Sequence, residues 1–195
     1  AADVAHMLLD ETQLRLDIVD QNIVVTGNIS VDDANLLSAT TEGTVTASIT
    51  TTESITELKT LTETTNAYTI VISSADATAN AADLSTIDGK TTATVDASAV
   101  TAISGNYDEI TALYGTAGVT GLGNESIDLN ERLTVIQANV IDGLTTGVVT
   151  ADISTTESVE SLKTLNGTNN AYTIVISSAD ATGSTAAEFN TIDAN

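Results

Sequence analysis

The sequence predicts an α/β fold, a right-handed solenoid of strand–helix coils whose parallel β-sheet is covered by helices. Three observations lead there. The dodecapeptide AYTIVISSADAT occurs twice unchanged, at 67–78 and 171–182, and TTESITELKTL (51–61) returns as TTESVESLKTL (155–165), both 104 residues downstream. A self-match of this length marks a repeat protein, because one coil cannot bury its apolar stripe alone and stacked neighbours bury it together. Second, short runs rich in Val, Ile, Thr and Tyr alternate with runs of helical spacing. Third, Gly- or Asn-containing turns punctuate the alternation.

Taken in order, strands are expected at NIVVTG (22–27), TVTA (44–47), YTIVIS (68–73), TATV (92–95), VTGL (119–122), VVTA (148–151) and YTIVIS (172–177). Most are apolar at successive positions, as parallel strands buried on both faces are. Helical stripes follow at Ile55, Leu58 and Leu61; Leu84 and Ile87; Ile110, Leu113 and Tyr114; Leu129, Leu133, Ile136 and Val140; and Val159, Leu162 and Leu165. Consecutive strands should pair in parallel about 4.8 Å apart, through right-handed crossovers. Residues 1–20 read as a helical half-coil or cap, and 21–195 as one continuous array with near-duplicate halves around 51–88 and 155–193.

Composition narrows the function. The chain holds 27 acidic residues against 5 basic ones, no Cys, Pro or Trp, and one His. Net charge is −22, yet 42% of residues are apolar, so the chain carries a core. Such acidity argues against nucleic acid, which calls for a basic footprint, and against anionic membrane surfaces. Divalent cations are the natural partners. No run of 18 apolar residues is present, so no membrane insertion is expected.

Near the end of each expected strand stands a triplet of Asp, Asn or Ser, then Ile, Ala or Glu, then Ser or Thr. The first members are Asn28, Ser48, Asp76, Asp96, Asn124, Asp152 and Asp180, with Asp3 as a degenerate earlier copy. One reading is a column of caps: these side chains accept bonds from backbone N–H groups two or three residues on, and the following Ser or Thr caps a helix, as Ser30 would before VDDANLL. Glu53 and Glu157 stand where they would add capping-box bonds. The other reading is calcium. Coils in register would set Asp76 beside Asp96 and Asp152 beside Asp180, and two carboxylates about 5 Å apart repel by about 3 kcal/mol at a surface-like dielectric. Ca2+ accepts carboxylate and carbonyl oxygens and would remove that repulsion. No EF-hand loop and no GGxGxD nonapeptide accompanies them.

Chemistry of other kinds has little to work with. His6 stands alone and no Cys is present, so neither a zinc site nor a Ser–His–Asp triad is expected. Glycoside hydrolysis by paired carboxylates usually recruits aromatic platforms, and the chain has four Tyr and one Phe. Tyr107 and Tyr114 are the candidates for an exposed carbohydrate-binding face, whereas Tyr68 and Tyr172 share one repeat position and read as packing residues. Thr44-Val-Thr46 and Thr92-Ala-Thr94 match the TxT pattern of ice binding. Asn28, Asn124 and Asn166 open N-x-S/T sequons.

Segments such as STIDGKTTATVDASAVTAISG (85–105) and AGVTGLGNESIDL (117–129) resemble the Thr/Ala/Asp-rich tandem repeats of very large surface or secreted proteins of marine cyanobacteria, and of structural proteins of their phages. The resemblance covers roughly 25–195 and rests on motifs of low complexity. It implies a non-enzymatic extracellular or virion structural role (spacer, stalk, surface layer or fibre), with end-to-end self-association between coils. It carries over no catalytic residue. A calcium-dependent adhesin or carbohydrate-binding module, and an ice-binding protein, are the alternatives.

Overall fold

The computed structural model describes residues 19–194. The expected N-terminal half-coil, His6 and Asp3 lie outside the described residues. The chain is α/β, with two parallel sheets covered by helices.

The elements begin with β1 (Ile23–Ile29), α1 (Val31–Ser38), β2 (Val45–Ile49), α2 (Ile55–Leu58) and β3 (Ala67–Val71). A 3-10 turn (Ser74–Asp76), β4 (Thr78–Asn80), α3 (Ala81–Asp88), β5 (Val95–Asp96), β6 (Ala102–Gly105), α4 (Tyr107–Gly115) and β7 (Val119–Thr120) follow. The chain continues through β8 (Ser126–Leu133), α5 (Val135–Asp142), β9 (Val149–Ile153), α6 (Val159–Leu162), β10 (Ala171–Thr173), α7 (Ser178–Gly183) and α8 (Ala186–Asp193).

The two sheets have strand orders β1-β2-β3-β5-β7 and β10-β9-β8-β6-β4. Paired residues are separated by one coil of sequence, from 20 residues (Asn28 opposite Ser48) to 25 (Ile70 opposite Val95). The chain divides into two compact units. One comprises residues up to Ala79 with Asp83–Val100 and Thr116–Gly121; the other comprises Asn80–Ala82, Thr101–Gly115 and the residues from Leu122 on. Each unit holds one copy of the duplicated segment.

That duplication extends beyond the recognisable dodecapeptide. Strand β1 pairs with β2 through Ile23–Val45 and Ile29–Ile49, with a register shift between Val24 and Asn28. Strand β8 pairs with β9 through Ile127–Val149 and Leu133–Ile153, with its shift between Asp128 and Arg132. These positions are all 104 apart, and the irregularity is copied along with the pairing.

The strands bury one face each, not two. Val45, Ala47 and Ile49 are buried while Thr46 points out, and Val149, Ala151 and Ile153 repeat the pattern around exposed Thr150 and Asp152. Thr on the solvent side is compatible with a strand because its branched Cβ suits the pleat. Two expected strands, at 92–95 and 119–122, shrink to two-residue bridges, and the short strands β4 and β6 went unanticipated.

The longest helical stripe is overturned. Leu129 and Leu133 belong to β8, where Ile127 and Leu129 alternate with exposed neighbours. A helix starts only after Thr134, whose hydroxyl accepts from the Gln137 amide while the Gln137 side chain accepts from the Thr134 amide. Helix α5 then buries Val135, Ala138 and Ile141, leaving Ile136 77% and Val140 41% exposed. The spacing that suggested a single stripe joined the inward side of a strand to the outward side of a helix.

Of the expected caps, the one at Ser30 is present, and two capping boxes that were not expected accompany it. The Ser30 hydroxyl accepts from the Asp33 amide at 3.1 Å and starts α1. Ser54 and Glu57 form a capping box on α2, and Thr185 and Glu188 another on α8. Helices of four to nine residues are too short to persist alone. Packing holds them: α1 lies on β1 and β2, and α5 on β8 and β9.

Candidate functional site

The ladder residues occupy four kinds of place. Asn28 and Ser48 are direct cross-strand partners. Asn124 is exposed in the loop before β8, outside any strand. Asp96 stands in β5 opposite Val71 on one side and Thr120 on the other, so its register neighbour is not Asp76. Asp152 stands opposite Arg132 and Thr173, not Asp180. The expected acid pairs fail because Asp76 lies in the 3-10 turn after β3 and Asp180 lies in α7, both beyond the strands whose register was to align them.

Asp96 makes a local turn. Its Oδ1 accepts from the Ser98 amide at 2.9 Å. That bond, with the Ser98 hydroxyl, holds its carboxyl below the usual Asp range. This is the Asx-turn reading of the ladder. Asp76 acts over a longer reach: its Oδ2 accepts from the backbone amide of Ile55, first residue of α2, at 3.0 Å.

The Asp76 contact belongs to a series that the sequence did not disclose. Glu53 Oε1 accepts from Val31 N, first residue of α1, at 3.3 Å. Glu131 Oε1 accepts from Tyr107 N at 2.7 Å, and Glu157 Oε1 from Val135 N at 3.2 Å, the first residues of α4 and α5. In each case an acid one coil later in sequence, 21 to 24 residues on, satisfies an orphan donor of the preceding helix. A carboxylate there also meets the positive end of the helix dipole. Glu53 and Glu157 were expected to cap their own helices; they cap their neighbours. Three of the four acids, Glu53, Glu131 and Glu157, stand outside the Asp/Asn/Ser ladder, and Asp76 is a member of it.

Asp180 departs from its twin. It is equivalent to Asp76, and Val159 to Ile55, yet its Oδ2 accepts from the Ser177 hydroxyl at 2.7 Å, three residues back.

Two further devices tie together chain segments 20 to 28 residues apart. A threonine two residues before a small residue accepts that residue's amide and donates to an oxygen of the preceding coil. Thr41 bonds Gly43 N and Gln21 O (2.9 and 2.6 Å), and Thr145 bonds Gly147 N and Glu125 O (2.9 and 2.6 Å). Thr116 bonds Gly118 N and the Asp88 carboxylate, both at 3.0 Å. Thr91 bonds Ala93 N at 3.1 Å, and both the amide and the carbonyl of Tyr68 at 2.8 Å.

The second device is an asparagine. Asn66 is 1% exposed; its Oδ1 accepts from Val45 N at 2.7 Å and its Nδ2 donates to Ser38 Oγ and Tyr68 Oη. Asn170 repeats this with Val149 N, the Asp142 carboxylate and Tyr172 Oη. Burial raises the Tyr68 phenol, and burial together with the Asp142 charge pushes Tyr172 up to about 12. Tyr68 and Tyr172 are thus packing residues, as their shared position suggested.

Glu125 is 1% exposed, and the amides of Gly123 and Asn124 donate to its carboxylate at 2.9–3.1 Å. A buried carboxylate is tolerated only when hydrogen-bonded in this way.

Of the other candidates, Tyr107 and Tyr114 both lie on α4, and the Tyr114 hydroxyl is buried with no partner among the described residues. Of the two TxT pairs only Thr46 lies within a strand. Asn166 donates its amide to Asn139 Oδ1. A groove of about 410 Å3 is bounded by Asp128, Glu131 and Asp152, with Arg132 among them. Among the described residues no three His, Cys, Asp or Glu converge as metal ligands do, and no helix is long and apolar enough to cross a membrane. Compared with family models, with curated proteins and with solved structures, the chain gives no match.

Proposed function

We propose that the chain is a right-handed α/β solenoid working as a non-enzymatic extracellular structural repeat: a spacer, stalk, surface-layer or fibre component. The observation that carries this reading is the set of helix caps supplied by the following coil. Glu53, Asp76, Glu131 and Glu157 each spend a carboxylate on a neighbour's backbone. The Thr and Asn devices do the same at the same spacing. Side chains placed for chemistry are usually left with unspent bonding capacity facing a cleft; here the recurring polar groups are consumed in stacking. That is the economy of a nearest-neighbour array, whose stability is a sum of coil and interface contributions. Its negative charge would keep it soluble, and the strand edges left open among the described residues would serve end-to-end association.

A calcium-dependent adhesin is the second reading. The Asp128–Glu131–Asp152 groove supplies acids for it, but they do not converge as a ligand set and Arg132 shares the groove.

One experiment separates them: thermal unfolding in EDTA, in millimolar Mg2+ and in millimolar Ca2+, at fixed ionic strength. A cap column gives small, equal shifts with both ions, from screening alone. A shift with Ca2+ only would overturn the metal-independent reading, since a ligand bound to the native state stabilises by mass action. Small-angle scattering supplies the second check, because a spacer must be elongated.

A further inference from the structure

The two identical dodecapeptides have different surroundings. In the first, Tyr68, Ile70 and Ile72 are each 1% exposed, and Leu61, Leu84 and Ile87 are fully covered. In the second, Tyr172, Ile174 and Ile176 are only half-buried and Val175 is 54% exposed. Tyr172, Ile174 and Ile176 line a cleft of about 430 Å3 with Leu165, Phe189 and Ile192.

The first copy shows what fills that space. Strand β5 pairs with β3 (Ile70 opposite Val95, Val71 opposite Asp96), and Ile72 N donates to Asp96 O at 2.8 Å. Thr91 bonds the amide and carbonyl of Tyr68, and Thr92 N donates to Asn66 O at 2.8 Å. Among the described residues β10 ends its sheet, and nothing takes the place of Thr91, Val95 and Asp96 beside it. The approach is preserved. Helix α8 repeats α3 with a one-residue insertion, so Ile87 answers to Ile192 and Asp88 to Asp193. The ion pair Lys59–Asp83 at 2.6 Å returns as Lys163–Glu188 at 3.3 Å.

We propose that the open edge running from Tyr172 to Ile176 is a strand-acceptor site for one further coil with the pattern of residues 91–115. That coil brings a Thr hydroxyl to the Tyr172 backbone, a Val opposite Ile174 and an Asp carbonyl to the Ile176 amide. The inference rests on the solenoid reading and specifies its partner. The occupant is a segment of the same repeat chemistry, not a dissimilar protein and not the β1 edge of a second copy, because among the described residues the strand against the first copy of the dodecapeptide on that side is β5.

The test appends a copy of residues 91–115 directly after Asn195, which continues the register of Asp88 with Asp193. A control extension carries Thr91→Val and Val95→Asp in the added copy alone. Amide hydrogen exchange is followed at Tyr172 and Ile176, with Tyr68 and Ile72 as internal references. The site predicts at least tenfold slower exchange at Tyr172 and Ile176 with the native extension and no slowing with the control. Equal exchange in both extended chains overturns it. Concentration-dependent protection of these amides in the unextended chain overturns the choice of occupant in favour of a second copy. Scattering on the unextended chain judges the spacer reading separately: a chain that is not elongated but gains protection on extension keeps the acceptor site and loses the spacer role.

Discussion

Gly147→Ala tests the coil-to-coil contact where the backbone approaches closest. Gly147 follows the Thr145 clamp, and a Cβ built there would lie 2.5 Å from the Glu125 carbonyl carbon and 2.9 Å from Ser126 N. Carbon atoms pack at about 3.5–4.0 Å, so relief requires a shift of about 1 Å between chain segments held together by Thr145 and by Val149 opposite Ile127. Both obstructing groups are backbone, so no rotamer change yields the space. Over-packing of this kind costs about 1–3 kcal/mol, and a rigid backbone obstacle puts the substitution at the upper end. For a chain of this size about 2–3 kcal/mol lowers the thermal midpoint by roughly 4–12 °C. Gly43→Ala should cost about as much, since its Cβ would meet the Gln21 carbon at 2.5 Å and Asn22 N at 2.9 Å. Gly115→Ala is the control: nothing lies within 4 Å, and the residue ends α4, where Ala is the better helix former. The assay is thermal and urea unfolding of the three variants by far-UV circular dichroism. Gly147→Ala as stable as Gly115→Ala would refute the close coil contact and the argument built on the Thr clamps.

Other predictions address the remaining polar devices. Asn66→Ala removes the acceptor of the buried Val45 amide and the donor to Ser38 and Tyr68; a loss of about 2–3 kcal/mol is expected in urea unfolding, and a loss under 0.5 kcal/mol would mean that water replaces it. Glu125→Gln puts an amide donor where three backbone N–H contacts converge and should cost about 1–3 kcal/mol, read from the urea midpoint. Asp76→Ala should cost about 0.5–2 kcal/mol by uncapping α2, and Asp180→Ala should leave α6 unaffected, as judged by amide exchange at Ile55 and Val159. For pH, Asp96, Glu57 and Glu188 all have folded values below their ordinary ones, set first by backbone hydrogen bonds from Ser98, Ser54 and Thr185. Their contribution is present above pH about 4 and is lost as pH falls through the folded values, so the midpoint should drop on acidification below pH 4. Tyr172 has the opposite sign: raised to about 12 from 10.0, it contributes below pH 10 and that contribution is lost between pH 10 and 12, which tyrosinate absorbance against unfolding will show.

How much of this was legible in the sequence depends on what each residue answers to. The strands around Val45, Tyr68 and Val149 were legible because branched and aromatic residues cluster there, and the helices α3 and α4 because Leu84 with Ile87, and Ile110 with Leu113, keep helical spacing. The parallel pairing of consecutive strands such as β1 with β2 was legible from the alternation of strand and helix runs. Failure came where one spacing served two periods. Leu129 and Leu133 are four apart and read as helix, yet the side chains alternating with Asp128 and Asn130 are a strand's. The acid pairs failed for a different reason. Aligning Asp76 with Asp96 assumed that sequence offset equals register, whereas Asp76 lies in the 3-10 turn beyond the end of β3 and Asp96 is the last residue of β5. The inter-coil caps were invisible because a cap supplied from 21 to 24 residues away leaves no local pattern.

The duplicated dodecapeptide gives the sharpest separation of local from neighbour effects. AYTIVISSADAT holds the same twelve side chains at both sites, and its first strand forms at both. Local propensity therefore accounts for the strand. It does not account for the burial of Tyr68 against the partial exposure of Tyr172, nor for Asp76 reaching Ile55 while Asp180 turns to Ser177. Those differences track the neighbours: β5 lies beside β3 and no described strand lies on the same side of β10. The residues after Ser73 form a single 3-10 turn, whereas those after Ser177 continue into α7. A neighbouring coil thus does more than cover apolar surface; it coincides with a different backbone conformation and a different hydrogen-bond partner in an identical sequence. If the proposed array is right, its nearest-neighbour interfaces would produce this behaviour at an edge strand. It also implies that adding a coil beside β10 should release Asp180 from Ser177 and return it to Val159 N, a change that amide exchange at Val159 would register.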